Sequence, residues 1–314
     1  MFHLDGKQLQ AQYLLYLSDY TRWAQKPHCE QWLVFPENIG THLSMDETSL
    51  SQGELYTIIS NKAAKGKKGA LVAMVKGTVS DEVISVLEQI PKEQRAKVQE
   101  ITVDLAPTMH RIARQSFPKA SIVSDRFHVQ KLAMDAVQEL RIKYRWEAIE
   151  LENNERQLAK QTNQKFVPYV LDNGDTLKQL LARSRYLLFK SRDKWTPRQG
   201  HRAKLLFERY PILELAYNLS RKLSTIFSRK ITKQIAYKKL AVWFNEVESA
   251  GIKSFSKIAD TIYHNYDSIL NFFNHRSTNA GAESFNAKVK ALRRQFRGVS
   301  NIPFFLYRLA KLYA

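Results

Sequence analysis

The 314-residue chain has one cysteine, Cys29. No disulfide can form within it and no zinc knuckle can be assembled, so a reducing compartment fits. Long apolar runs are missing as well. No stretch approaches the ~18 apolar residues of a membrane span, and residues 1–5 show no basic segment leading into an apolar one. The chain reads as soluble and cytoplasmic. Internal repeats and low-complexity tracts are lacking. Negative charge is scarce: Asp+Glu number 30 against 49 Lys+Arg, a formal net charge of +19. Such a surplus repels itself unless a polyanion is a routine partner. Nucleic acid is the first candidate, because phosphate contacts release counterions and drive binding. Hydrophobic residues at 44% and charged residues at 25% leave enough apolar surface to bury a core. The length suits one large domain, or a core carrying an inserted subdomain.

Periodicity divides the chain. Residues 8–25 read as a short amphipathic helix, with Leu9, Tyr13, Tyr16, Leu17 and Tyr20 on one face, and residues 32–36 as an extended segment. Together with the rest of 1–41 they form a short N-terminal segment. Residues 42–46, 54–60 and 70–76 read as three strands joined by short links, the second link being the Lys/Gly-rich turn 61–69. A helix follows, with Ser80 as its expected N-cap. Residues 98–105 alternate as a fourth strand, Pro107 opens a helix, residues 120–125 form a fifth strand, and a helix begins near Phe127. A meander passing into βαβ crossovers gives a mixed sheet with helices on its faces. That order resembles the ribonuclease-H-like fold. From about 145 to 275 only helical spacing is seen, punctuated by Pro168, Asn173-Gly174, Pro197, Gly200, Pro211 and Gly251. The expected architecture is therefore α/β: a five-stranded ribonuclease-H-like core over 42–145 and 276–314, with a helical insertion over 146–275.

Three acids stand out. Asp46 closes the first expected strand, and Asp104 the fourth. These strands are neighbours in a ribonuclease-H-like sheet, so their carboxylates would meet at one edge. Hard carboxylates with open positions suit Mg²⁺, which keeps several waters and accepts phosphate oxygens. Glu283, on the last helix, would complete a site able to hold two ions for in-line displacement at phosphorus. Taken singly, a strand-end Asp is more often a turn or cap residue. Glu47 falls on the opposite side of its strand. Asp125 and His128 lie three apart at a strand–helix junction, where they can orient a ligand or water or simply cap and pack.

The run Asp46-Glu47-Thr48, the segments Ile101–Leu105 and Phe117–Lys131, and the run Thr278–Lys290 together resemble insertion-sequence DDE transposases, most nearly the "ISL-three" group with its Bacteroidetes branch. The resemblance spans nearly the whole chain from about residue 42. The Asp-Arg-Phe-His run and the Asn-x-x-x-Glu-x-x-Asn-x-x-x-Lys helix are fairly specific as a pair and weak singly. It implies a catalytic, metal-binding triad of Asp46, Asp104 and Glu283 using Mg²⁺ or Mn²⁺, with two ions expected. Asp125 and His128 become its auxiliary Asp-x-x-His motif. It also implies a bacterial, nucleoid-associated DNA enzyme that acts as a homodimer to pair two transposon ends. Full-length members carry a zinc-binding and helix-turn-helix region ahead of the first acid. Here about forty residues precede Asp46, so the expectation is a separately encoded end-binding protein or a truncated relic.

The path for DNA is read from cations. Glu283, Asn286, Lys290 and Arg294 follow one helical stripe, with Arg293 and Arg297 at its edge. Lys62, Lys65, Lys67 and Lys68 populate the turn at 61–69, fit to grip a backbone without reading bases. Trp195, among Arg183, Arg185, Lys190, Arg192 and Lys194, is a candidate stacking platform, or equally a core aromatic. Rival expectations are another ribonuclease-H-like nuclease, such as a junction resolvase, and an inactive, transposase-derived DNA-binding protein.

Overall fold

The computed structural model describes residues 5–50, 53–295 and 301–314. The chain divides into two compact units, residues 1–125 with 267–314, and residues 126–266. The sheet-bearing unit thus ends at Asp125, about twenty residues before the expected boundary. The reason is α5 (Arg126–Gln161), one uninterrupted 36-residue helix that packs with its own unit.

In the first unit, α1 (Gly6–Gln12) passes into a π-turn at Tyr13–Leu17. The amphipathic helix expected over 8–25 is therefore broken early. Leu9, Tyr13, Tyr16 and Leu17 are exposed, and of the expected face Tyr20 alone is buried, against Phe304 and Tyr307. Six strands follow: β1 (Trp32–Val34), β2 (His42–Ser49), β3 (Leu55–Asn61), β4 (Leu71–Lys76), β5 (Glu100–Val103) and β6 (Ser121–Ser124). They lie in the order β1-β4-β3-β2-β5-β6. The sheet has one strand more than expected, because Trp32–Val34 pairs antiparallel with β4, Leu33 opposite Met74. Strands β4, β3 and β2 form the antiparallel meander, while β2–β5 and β5–β6 are parallel.

The connections are α2 (Ser80–Leu87), α3 (Lys92–Arg95) and α4 (Pro107–Ser116). Ser80 is the first helical residue and Val79 the cap, so the expected Ser80 cap is absent. Leu43, Met45, Ile101 and Val103 share one core with Val83, Leu87, Met109 and Ile112, which covers one sheet face with α2 and α4.

The second unit is helical: α5, then α6 (Leu177–Arg183), α7 (Pro197–Arg209), α8 (Pro211–Ser228), α9 (Lys233–Ala250) and α10 (Lys253–His264). Its centre includes Trp243, fully buried with its indole N–H donated to the Leu219 carbonyl at 3.0 Å. Asp175, almost wholly buried, accepts from Arg183 and from Arg202.

The chain re-enters the first unit along α11 (Tyr266–His275), then α12 (Ala280–Gln295) and α13 (Ile302–Tyr313). Asn271 donates to the Ile122 carbonyl at 2.9 Å, covering the free edge of β6. Phe285, Val289 and Leu292 of α12 pack with Phe305 and Leu309 of α13 on Tyr56, Ile58 and Met74, closing the other sheet face.

Candidate active site

Strand β2 lies between β3 and β5, and alternation divides its side chains. Leu43 and Met45 enter the core under α2 and α4. Ser44, Asp46 and Thr48 project to the opposite face. On β5, Ile101 and Val103 enter that same core, so Glu100 and Thr102 face with Ser44. The parallel register sets Ser44 beside Thr102. Two residues beyond that last pair come Asp46 on β2 and Asp104 just past the end of β5, and alternation assigns both to this face.

Asp46 is not at a strand end, as the sequence implied. Strand β2 continues to Ser49 against β3, and only its pairing with β5 stops at Ser44. Its two carboxylate oxygens are held separately: Oδ1 accepts the Glu47 N–H at 2.9 Å, and Oδ2 accepts the Asn286 side-chain amide at 2.8 Å. Asp104 follows β5 directly. Its Oδ1 accepts the Ala106 N–H at 2.8 Å, turning the chain into α4. Behind it, His110 is buried, with Nε2 3.1 Å from the Asp104 carbonyl. Burial first, then the Arg114 charge, pulls the His110 pKa down. The neutral ring therefore donates to that carbonyl from Nε2.

Asparagines fix α12 over these acids. The Asn279 N–H donates to Asp125 Oδ1 at 3.3 Å, and its side-chain amide donates to the Met45 carbonyl at 3.1 Å. Asp125 and Asn279 are both buried. The carboxylate at the helix N-terminus also favours the helix dipole. Asp125 thus anchors the helix bearing Glu283, while His128 lies in α5 of the second unit. Glu283 is exposed in the first turn of α12, three residues before Asn286 and on its side of the helix. Asn286, expected on the DNA path, is instead buried and spent on Asp46. Asn279 was singled out from the sequence only as the first residue of the motif that carries Glu283, and His110 was not picked out. The usable signals were an amide one position before the last helix and a histidine one turn into the helix that Pro107 opens.

Negative charge gathers here. Burial raises the Glu47 pKa, and the charges of Asp104 and Asp46 raise it further. Glu47, on the other side of β2 by alternation, is therefore still within electrostatic reach of both acids. Among the described residues, no group of three or more His, Cys, Asp or Glu side chains is gathered closely enough to hold a metal ion. Mg²⁺ is commonly bound through one or two protein carboxylates, the remaining positions going to water and phosphate.

The cations divide into two groups. Lys65, Lys67, Lys68, Lys290 and Arg294 are exposed. Lys62 is turned inward: its ammonium donates to Thr102 Oγ1 and lies 3.6 Å from Glu100. Burial lowers its pKa, opposed by Glu100 and Asp125. Arg293 donates to Glu54 at 3.1 Å and stacks over Phe305, so it belongs to the packing of α12 rather than to the exposed stripe. Arg297 lies outside the described residues. In the second unit Trp195 is no stacking platform: it donates to the Leu187 carbonyl at 2.9 Å and packs on Tyr217 and Phe207. Arg192, beside it, binds Glu214 at 2.7 Å.

Six strands in this order among the described residues, flanked by helices, with Asp46 on β2 and Asp104 just after β5, form an α/β ribonuclease-H-like fold. A family model described as transposase, of the ISL-three DDE group, matches residues 43–309. The chain belongs to this DDE transposase family, whose substrate is DNA. No curated protein and no solved structure matches it. Among the described residues no helix is long and apolar enough to cross a membrane.

Proposed function

We propose that the chain cuts transposon-end DNA in a metal-dependent hydrolysis and joins the freed 3′-OH to target DNA. The observation that carries this reading is the parallel register of β2 and β5. That register ends at Ser44 beside Thr102, two residues before Asp46 and Asp104, and Asn286 of α12 donates to Asp46; both support a shared site for the two acids. Asp46 and Asp104 would hold Mg²⁺ or Mn²⁺, with Glu283 supplying a further carboxylate and room for a second ion. Bound there, the metal would supply Lewis-acid activation at phosphorus and stabilise the leaving oxygen.

The chain's own residues do the positioning. Asn286 and the Glu47 N–H each hold one oxygen of Asp46. The Ala106 N–H and His110 hold Asp104. Asp125 and Asn279 hold the helix that carries Glu283. In the first step water attacks the phosphodiester and the 3′ oxygen leaves with a proton. In the second step that 3′-OH attacks a target phosphodiester, so one ester bond forms for each one broken and no covalent enzyme intermediate is needed. Exposed Lys290 and Arg294 continue the helix beyond Glu283 and would guide the backbone with Lys65, Lys67 and Lys68. Pairing of two ends calls for a homodimer.

The test is cleavage of supercoiled plasmid and labelled element-end DNA with Mg²⁺ or Mn²⁺, wild type beside Asp104→Asn. Metal-dependent nicking that the variant lacks is expected. Equal cleavage by the variant would sink the assignment. Retained DNA binding with no cleavage by wild type under any condition favours a transposase-derived binding protein.

A further inference from the structure

A cavity of about 170 Å³ in the first unit is lined by Ser44, two residues before Asp46 on β2. Ser44 and Ser60 contribute strand hydroxyls to its wall, Lys62 and Lys65 contribute charge, and Gly281 and Ala282 contribute the first turn of α12. Three independent features make it a place for an anion. Ser44 is fully buried, yet its Oγ has no hydrogen-bond partner among the described residues. An orphaned buried hydroxyl is costly unless a ligand satisfies it. The first turn of the 16-residue helix α12 presents backbone N–H groups that no preceding carbonyl can take, at the positive end of the helix dipole. Finally, Lys62 and Lys65 line the cavity, and Lys288 donates to the Gly66 carbonyl at its rim at 2.8 Å. Gly66 bends the hairpin there with φ +66°.

We propose that this cavity is a phosphate subsite. It takes the DNA backbone phosphate next to the one at the carboxylates. The inference rests on the proposed DNA-cleaving function for the identity of the anion. Ser44 precedes Asp46 by two residues on the same face of β2, about 7 Å along the strand. That is close to the separation of successive phosphates on one DNA strand. A phosphodiester in the cavity would accept from Ser44 Oγ, from the Lys65 ammonium and from the α12 N–H groups. Lys62, braced by Glu100 and Thr102, adds fixed charge beneath it. With one phosphate held here, the next is delivered to Asp46 and Asp104 in register. This makes the cavity a positioning device for the scissile bond.

The experiment is metal-free binding of a fluorescein-labelled DNA duplex by the full chain, read by anisotropy over a salt series beside thermal unfolding. It is independent of cleavage, so it can succeed or fail separately from the catalytic reading. Ser44→Ala should weaken binding about five-fold with an unchanged salt slope, because it removes a neutral donor, and should leave Tm unchanged or higher. Lys65→Gln should flatten the slope by about 1. Gly281→Asp is the most telling variant. A Cβ at this position meets no atom within 4 Å, and an acid in a first helical turn favours the helix. Tm should hold or rise while DNA affinity falls more than about ten-fold, an effect of the size expected for a lost charge-assisted contact. Inorganic phosphate at millimolar concentration should raise the Tm of wild type more than that of Gly281→Asp. Binding by Ser44→Ala and Gly281→Asp within two-fold of wild type across the series would overturn the subsite. So would equal weakening by Lys119→Gln, which lies outside the cavity.

Discussion

The two faces of the central strands β2 and β5 are built from the same backbone and do opposite work. Under α2 and α4, Leu43, Met45, Ile101 and Val103 are wholly buried and carry no polar side-chain atom that needs a partner. On the other face, one residue out of step, stand Ser44, Asp46, Thr48, Glu100, Thr102 and Asp104. Several of these are just as buried, and the hydroxyls of Ser44 and Thr48 have no hydrogen-bond partner among the described residues. The first face holds the sheet together by apolar burial. The second gives up that gain to carry carboxylates, hydroxyls and a lysine. Where α12 leaves the acids it returns to apolar contact through Phe285 and Val289, so the polar face is confined to the site. A two-residue period lets one strand serve both purposes, and a slip of one residue would destroy both.

The sharpest break in this comparison is chemical. Asp104→Asn should lower cleavage on the order of 1,000-fold, the kinetic equivalent of several kcal/mol of lost charge stabilisation, with little change in DNA affinity or Tm. Its counterpart on the other face, Met45→Ala, should cost about 2–5 kcal/mol in denaturant unfolding through the cavity it leaves. Asn286→Ala would test whether the polar face is ordered from above. Loss of the bond to Asp46 should lower cleavage by about 10–100-fold, as for other partners that orient metal-binding groups, with Km for DNA nearly unchanged. Lys290→Glu should weaken DNA binding broadly and reduce the salt slope by roughly 1–2; an unchanged slope would remove α12 from the DNA path.

The smallest effect is a pH effect. Tyr56 is buried beneath α12, and burial, then Glu54, pushes its phenol up to about 12 from 10.0. The folded state thus keeps a proton that the unfolded chain releases at about 10. Stability should be full below pH 10 and fall as pH rises toward 12. Unfolding of wild type and Tyr56→Phe at pH 8 and pH 11 checks this, since the variant should lose less.

Much of this site was legible in order and period. Alternation in residues 42–46 and 98–105, and the passage from meander to crossovers, placed Asp46 and Asp104 on neighbouring strands. The Asn-x-x-x-Glu-x-x-Asn spacing placed Glu283 and Asn286 on one side of a helix. Trp32–Val34 was visible only as an extended segment, because three residues carry too little pattern to name a partner strand. The candidate DNA contacts misled most. Lys62, Arg293 and Trp195 share their chemistry with exposed DNA contacts, yet each is committed to a neighbour distant in sequence or to its own unit's core.

The sequence by itself determined the strand and helix order, the alternation that separates acids from core, and the surplus of positive charge. These follow from local backbone geometry and composition, which need no knowledge of what lies across the fold. Only the tertiary structure decided that Asn286 faces Asp46 rather than DNA, that Asp125 anchors α12, that Lys62 turns toward Glu100, and that Ser44 opens into a cavity. Each of these depends on where α12 and the β3–β4 hairpin come to rest on the sheet. That placement is set by long-range burial of Phe285, Val289 and Ile58, and no local pattern in the chain records it.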